Sequence, residues 1–177
     1  MQIEIHDDGA AVARAGARFV VEAARRAIAA RGKFLFAVSG GRTPWQMMAE
    51  LVRADVEWAS WHLFQVDERI APAGDPDRNL THLQESLLAH VAVPAGNVHA
   101  MPVEASDSEA AARVYADELA RVAGTPVVLD LIHLGLGPDG HTASCGTSDA
   151  VWPSGPRPRW IRSSTTGVPA TRASSSA

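Results

Sequence analysis

At 177 residues with 46% hydrophobic and 20% charged side chains, the chain has the length and composition of a soluble globular protein with a single core. Its net charge of -4 supplies no basic patch for nucleic acid or an anionic membrane surface, and no apolar run approaches the roughly 18 residues that cross a bilayer. Cys145 is the only cysteine, which excludes an internal disulfide and a thiolate metal cluster, and the opening MQIEIHDDGA lacks the basic and apolar regions of a secretion signal, so a cytoplasmic protein is expected.

Gln2 to Ile5 alternates weakly, the pattern of a short edge strand. After Asp7, Asp8 and Gly9, a stretch rich in Ala, Arg and Glu runs to Arg31 with apolar residues at helical spacing; Asp7 or Asp8 serves as its cap and Gly32 ends it. Phe34 to Val38, FLFAV, is a continuous apolar run of the kind found in parallel strands covered on both faces. Helix followed by strand points to an α/β fold.

Directly after that run comes SGGRTP, Ser39 to Pro44, and then an apolar-periodic helix from near Trp45 to about Arg53. Gly40 and Gly41 free backbone amides, Ser39 and Thr43 bring hydroxyls, Arg42 brings charge, and the helix start adds its partial positive end, which together suit a phosphate. A tight strand-to-helix turn, with Thr43 as cap and Pro44 as first helical residue, fits the same segment equally well. It is not a Walker loop, which requires GKS or GKT.

Trp61 to Val66, WHLFQV, is the next strand, and it ends in Asp67, Glu68 and Arg69. Ligands of open parallel sheets bind outside the carboxyl ends of strands, so these charges are candidates for holding substrate; a solvated turn is the plainer alternative. Ile70 to Arg78 is a proline-rich loop, and Asn79 is placed as the cap of a helix through about His90, with Leu83, Leu87 and Leu88 on one face and His82 and His90 at its surface. Val98 to Met101 reads as a short strand, and SDSE at Ser106 to Glu109 as a capping box opening a helix to about Val122, closed by Gly124 and Pro126.

The last strand is VVLDLIHL, Val127 to Leu134, in which His133 is read as a satisfied or core-edge histidine rather than a catalytic one. It runs into LGLGPDGHTAS, which turns through Gly135, Gly137, Pro138 and Gly140 and presents Asp139 and His141, an acid and an imidazole suited to proton transfer near neutral pH. GLGPDG also fits GxGxxG, but no helix opens from its last glycine and no acid follows about 20 residues on, as a dinucleotide site demands. On these residues alone, a structural turn and a catalytic loop fit equally. If the strands are parallel and adjacent, SGGRT, DER and PDGH converge on one crevice, and that convergence favours a functional site.

With SGGRTP, QVDER, the GDPDRN loop and GLGPDGHTAS in this order, the chain resembles the 6-phosphogluconolactonase family over about residues 1–144. HTAS after GLGPDG separates that family from the glucosamine-6-phosphate deaminases, which share its fold. The resemblance implies a Rossmann-like, open, mainly parallel sheet with helices on both faces, no metal or organic cofactor, and a small-molecule sugar phosphate as partner. It implies His141 as general base and acid, Asp139 as the group that orients it, and Arg69 as a phosphate ligand. Ser39, Gly40, Gly41, Arg42 and Thr43 would line the same pocket, with Asp67 and Glu68 holding the loops. Rival functions are a deaminase or isomerase of an amino-sugar phosphate, and a sugar-phosphate-binding protein without catalysis. Oligomeric state has no signature. Residues 145–177, rich in Ser, Pro, Arg, Gly and Thr, are expected to form a disordered or frameshifted tail, leaving the family fold without its C-terminal part.

Overall fold

The apolar run FLFAV is the middle of the fold. The computed structural model describes residues 3–137 and 140–143, all within one compact unit, residues 1–147. The expected tail at 145–177 lies outside the described residues, as do Pro138, Asp139 and Ser144.

Asp8 opens helix α1 (Gly9–Arg31): its carboxylate accepts the Ala11 amide at 2.7 Å, and Gly32 closes the helix in the left-handed conformation. Ala13, Ala17, Val20, Ala24 and Ala27 recur at steps of four and three, so one narrow stripe of mostly small side chains is buried. Strand β1 (Phe34–Val38) follows, then α2 (Arg42–Leu51), β2 (Trp61–Gln65) and α3 (Asn79–Leu83), which continues through a π-helical turn at Gln84–Leu88. The chain ends its described part with β3 (Val98–His99), α4 (Ser108–Ala123) and β4 (Leu131–Ile132).

The four strands lie in the order β3-β2-β1-β4, every pairing parallel. Phe36 stands opposite Leu63 on one side and Leu131 on the other. Alternate residues of β1 supply two cores. Phe34, Phe36 and Val38 pack with Trp61 and Leu63 beneath α1 and α2, and the Phe34 ring meets Trp61 edge-on at 4.9 Å between centroids. Leu35 and Ala37 pack with Phe64 against Val122 and Leu119 of α4 on the other face. Each large side chain buried in this way contributes about 1.5–3 kcal/mol. The expected α/β architecture, with helices on both faces of a parallel sheet, is the observed one.

Several local expectations are corrected. Residues 3–5 are not in the sheet, and Ile3 and Ile5 are exposed, because a two-residue alternation provides a face without a partner strand. Helix α2 begins at Arg42, not near Trp45, because Gly41 adopts φ 123° and turns the chain without Thr43 as a cap; Pro44 then sits within the first turn, where an amide hydrogen has no intrahelical acceptor to lose. Asn79 is the first residue of α3, not its cap. In α4 the capping side chain is Asp107, which accepts the Glu109 and Ala110 amides at 3.0 Å, and not Ser106. Strand β3 stops before Met101, whose amide is taken at 2.9 Å by the Gln65 side chain. Strand β4 is shorter than Val127–Leu134, although Asp130 and His133 extend its contact with β1 by donating amides to Leu35 and Ala37 carbonyls at 2.9 and 2.8 Å.

Candidate functional site

Three strand ends meet at one cavity of about 510 Å³. After β1 the chain passes Ser39 and Gly40 to Gly41, no side chain caps the α2 start, and the residues of that start, where the helix carries its positive end, line the cavity. Gly40 is required by crowding: a Cβ there would stand 1.9 Å from Asn79 Oδ1.

After β2, the Glu68 carboxylate is fully buried and collects the turn around itself. Its Oε1 accepts the Arg69 and Asn79 amides at 2.8 and 2.7 Å; its Oε2 accepts Gln65 Nε2 and the Leu80 amide at 2.7 and 2.9 Å, with Arg78 Nε at 3.4 Å. Burial works to raise its pKa, but the hydrogen bonds from Gln65, Arg69, Leu80 and Asn79 prevail and hold it below the usual carboxylate value. Glu68 thereby takes the role of cap for α3 from a distant position in sequence. Asn79 Nδ2 donates to the Asp67 carbonyl at 3.0 Å and approaches Asp67 Oδ1 at 3.5 Å, which fixes Asp67 at the rim beside the exposed Arg69.

After β4, the loop is closed on itself. The Gly137 amide donates to the His141 carbonyl at 2.8 Å, the Gly140 amide to the Gly137 carbonyl at 2.9 Å, and the Thr142 hydroxyl to the Gly135 carbonyl at 2.8 Å. Gly140 takes φ 84°, a conformation open to glycine, and Ala143 takes φ 51°. Ser39 Oγ accepts the Gly135 amide at 3.2 Å and lies 3.2 Å from His133 Nδ1. Burial pushes the His133 pKa below its ordinary value, favouring the neutral ring.

Of the residues singled out from sequence, Ser39, Gly40, Gly41, Arg42, Thr43, Asp67, Arg69 and His141 all line this cavity. Glu68 stands behind the lining, and Asp139 lies outside the described residues. Asn79 and His133 also line the cavity, although sequence placed the first as a helix cap and the second at a core edge. The alternation of Leu131 to His133 is a local signal for the second that is not decisive without the register, while the first is marked by its crowding of Gly40 in the folded structure. The arrangement brings two guanidinium groups and a helix start, suited to an anion, into the same cavity as an imidazole suited to proton transfer. Among the described residues there is no cluster of three or more metal-ligating side chains.

A family model described as glucosamine-6-phosphate isomerases/6-phosphogluconolactonase matches residues 7–161, past the Ser144 limit of the motif resemblance. A 6-phosphogluconolactonase of Synechocystis is 42% identical over 123 residues, covering 67% of this chain and 51% of the relative. One from Streptomyces coelicolor is 37% identical over 157 residues, covering 81% and 60%. The human GDH/6PGL endoplasmic bifunctional protein is 40% identical over 126 residues, covering 67% and 16%. The chain thus spans less than two thirds of the length of each of these relatives. Among solved structures, 6-phosphogluconolactonase from Trypanosoma brucei superposes with a TM-score of 0.73 at 28% identity, covering 84% of this chain and 65% of that one. The enzyme from Thermotoga maritima gives 0.72 at 28%, covering 80% and 62%. A monomeric glucosamine-6-phosphate deaminase, at 0.70 and 18% identity, shares the fold.

Proposed function

Since this chain belongs to the family of glucosamine-6-phosphate isomerases and 6-phosphogluconolactonases, we propose that its cavity hydrolyses 6-phospho-D-glucono-1,5-lactone to 6-phosphogluconate. The observation that carries this reading is the convergence of the SGGRT loop, Arg69 and His141 on one cavity at the carboxyl ends of β1, β2 and β4. The relatives named as lactonases support the same reaction.

In this reading the phosphate lies against the α2 start, held by the amides of Gly40 to Thr43 and by Arg42 and Arg69, while the lactone carbonyl faces His141. Neutral His141 takes a proton from water as the water oxygen bonds to the carbonyl carbon. The carbonyl electron pair moves to its oxygen, then returns as the bond from carbon to the ring oxygen breaks, and His141 gives the proton to that departing oxygen. The sum is one water added across the ester bond. A lactone is an activated ester, so an imidazole suffices without a covalent nucleophile. Asp139, on the resemblance alone, orients His141; Asp67 and Glu68 keep the turn that aims Arg69. The pathway and compartment belonging to this assignment are the oxidative pentose phosphate route and the cytoplasm.

The test compares lactone hydrolysis by the purified chain with His141→Ala and with the uncatalysed rate. His141→Ala is expected to lose about a hundredfold or more. Equal rates for both proteins and buffer would overturn the proposal. Ammonia release from glucosamine 6-phosphate, or binding of 6-phosphogluconate with no turnover, would put the deaminase or the binding protein in its place.

A further inference from the structure

We infer that His133 is a positioning residue which, through the Ser39 hydroxyl, clasps the loop after β1 to the loop carrying His141. The kinetic side of this inference rests on the lactonase reading; its structural side does not.

The backbone ladder between β1 and β4 is short. Two residues pair, Phe36 with Leu131 and Ala37 with Ile132, and the last backbone tie is the His133 amide on the Ala37 carbonyl. Beyond it the two chains leave the sheet toward the cavity, one as the anion loop and the other as the His141 loop. There the tie passes to side chains. Ser39, 4% exposed, sits between them with its Oγ 3.2 Å from both the Gly135 nitrogen and His133 Nδ1.

A hydroxyl has one proton to give and two lone pairs to accept with. The Gly135 N–H occupies one lone pair of Ser39. We assign its proton to His133 Nδ1, the acceptor nitrogen in the neutral tautomer protonated on Nε2; burial of His133 favours a neutral ring. With the proton spent there, Ser39 has none to offer a phosphate oxygen. The SGGRT motif had placed Ser39 among the phosphate-lining residues; the geometry points to a joint, leaving the anion to the amides and to Arg42 and Arg69.

The joint reaches the catalytic imidazole. The carbonyl of Gly135, the residue whose amide Ser39 holds, accepts the hydroxyl of Thr142, the neighbour of His141. A continuous run of hydrogen bonds, from His133 through Ser39 and Gly135 to Thr142, therefore sets the distance between the anion site and His141. A misplacement of about 1 Å at such a distance costs up to two orders of magnitude in rate.

The experiment uses the full chain with Ser39→Ala, His133→Leu, their double variant, and His133→Asn, whose side-chain oxygen can accept near the place of Nδ1. Each of the first two is expected to lower kcat about tenfold with KM within about twofold; the double is no worse than either single, and His133→Asn recovers most of the loss. Ser39→Ala that instead raises KM about tenfold at unchanged kcat makes Ser39 a phosphate ligand and overturns the clasp. Should His133→Leu not fold, Ser39→Ala and His133→Asn carry the test. Should wild type show no turnover, the lactonase reading fails and the clasp is read from exchange of the Gly135 amide hydrogen. Acceleration of about tenfold by either single and no more by the double supports it. Multiplying effects overturn it.

Discussion

Strands β1 and β4 are neighbours in one sheet, yet they hold the cavity by different means. Behind the anion loop stand five consecutive β1 side chains, none more than 5% exposed, packed on both faces. Behind the His141 loop stand two paired residues of β4, with Ile132 and Leu134 52% and 51% exposed. The first wall is fixed by core packing, which resists displacement in every direction. The second is fixed by a few directional hydrogen bonds, which resist only along their own lines. In the proposed reaction, gripping a phosphate and aligning a proton-transfer group are thus divided between a rigid half of the cavity and a half tuned by single side chains.

The largest effect that would break this comparison is on the rigid wall. Phe36→Ala removes a fully buried ring between Leu63 and Leu131 and is expected to cost about 3–5 kcal/mol in urea unfolding. A loss below about 1 kcal/mol would deny that packing sets the β1 wall.

Acidification comes next. His62, His99 and His133 all have pKa values below the ordinary 6.5. Burial is the main cause in each; Glu118 opposes it at His99, while the charges of His99, Lys33 and Arg121 add to it at His62. Their folded pKa values lie below the unfolded one, so the stability they contribute is complete above about pH 6.5 and is lost as pH falls through the folded values. The melting temperature should therefore drop by a few degrees between about pH 7.5 and about pH 5. His133→Asn removes the share belonging to the β4 wall and leaves that of the His62 and His99 pair, whose rings hydrogen-bond at 3.1 Å across β2 and β3. An unchanged acid slope in that variant would show that the β4 wall does not titrate.

The smallest expected effect is on the exposed face of β4. Ile132→Ala should cost less than about 1 kcal/mol, because a half-exposed side chain has little transfer free energy to lose. A cost near that of Phe36→Ala would mean that this face is covered.

The rigid half was legible in the sequence and the tuned half was not, for a physical reason. FLFAV is an unbroken apolar run between Lys33 and Ser39, and such a run announces a strand buried on both faces before any contact is known; WHLFQV, between Ser60 and Asp67, carries the same signal with His62 and Gln65 among its apolar residues. The rule that ligands gather at the carboxyl ends of parallel strands then brought SGGRT, Arg69 and His141 together correctly. What escaped depends on partners distant in the chain. Glu68 takes the amides of Asn79 and Leu80, so the expected cap is itself capped. His133 turns to Ser39 because of a register between β4 and β1 that no local pattern encodes. Where two adjacent residues can each supply a cap, as Ser106 and Asp107 can for α4, propensity names the residue types without choosing between them.

The near-contact of Gly40 with Asn79 has a consequence for changing what this cavity accepts. The two positions form a mutual exclusion: a library that varies only the anion loop will lose its Gly40 variants to collision, whatever their affinity for a ligand. Shrinking Asn79 to make room releases the Asp67 carbonyl it holds, so that relief at one rim loosens the other. The contour of the cavity at this point is therefore inherited as a pair, and reshaping it requires both residues, with a new donor for Asp67, to change together.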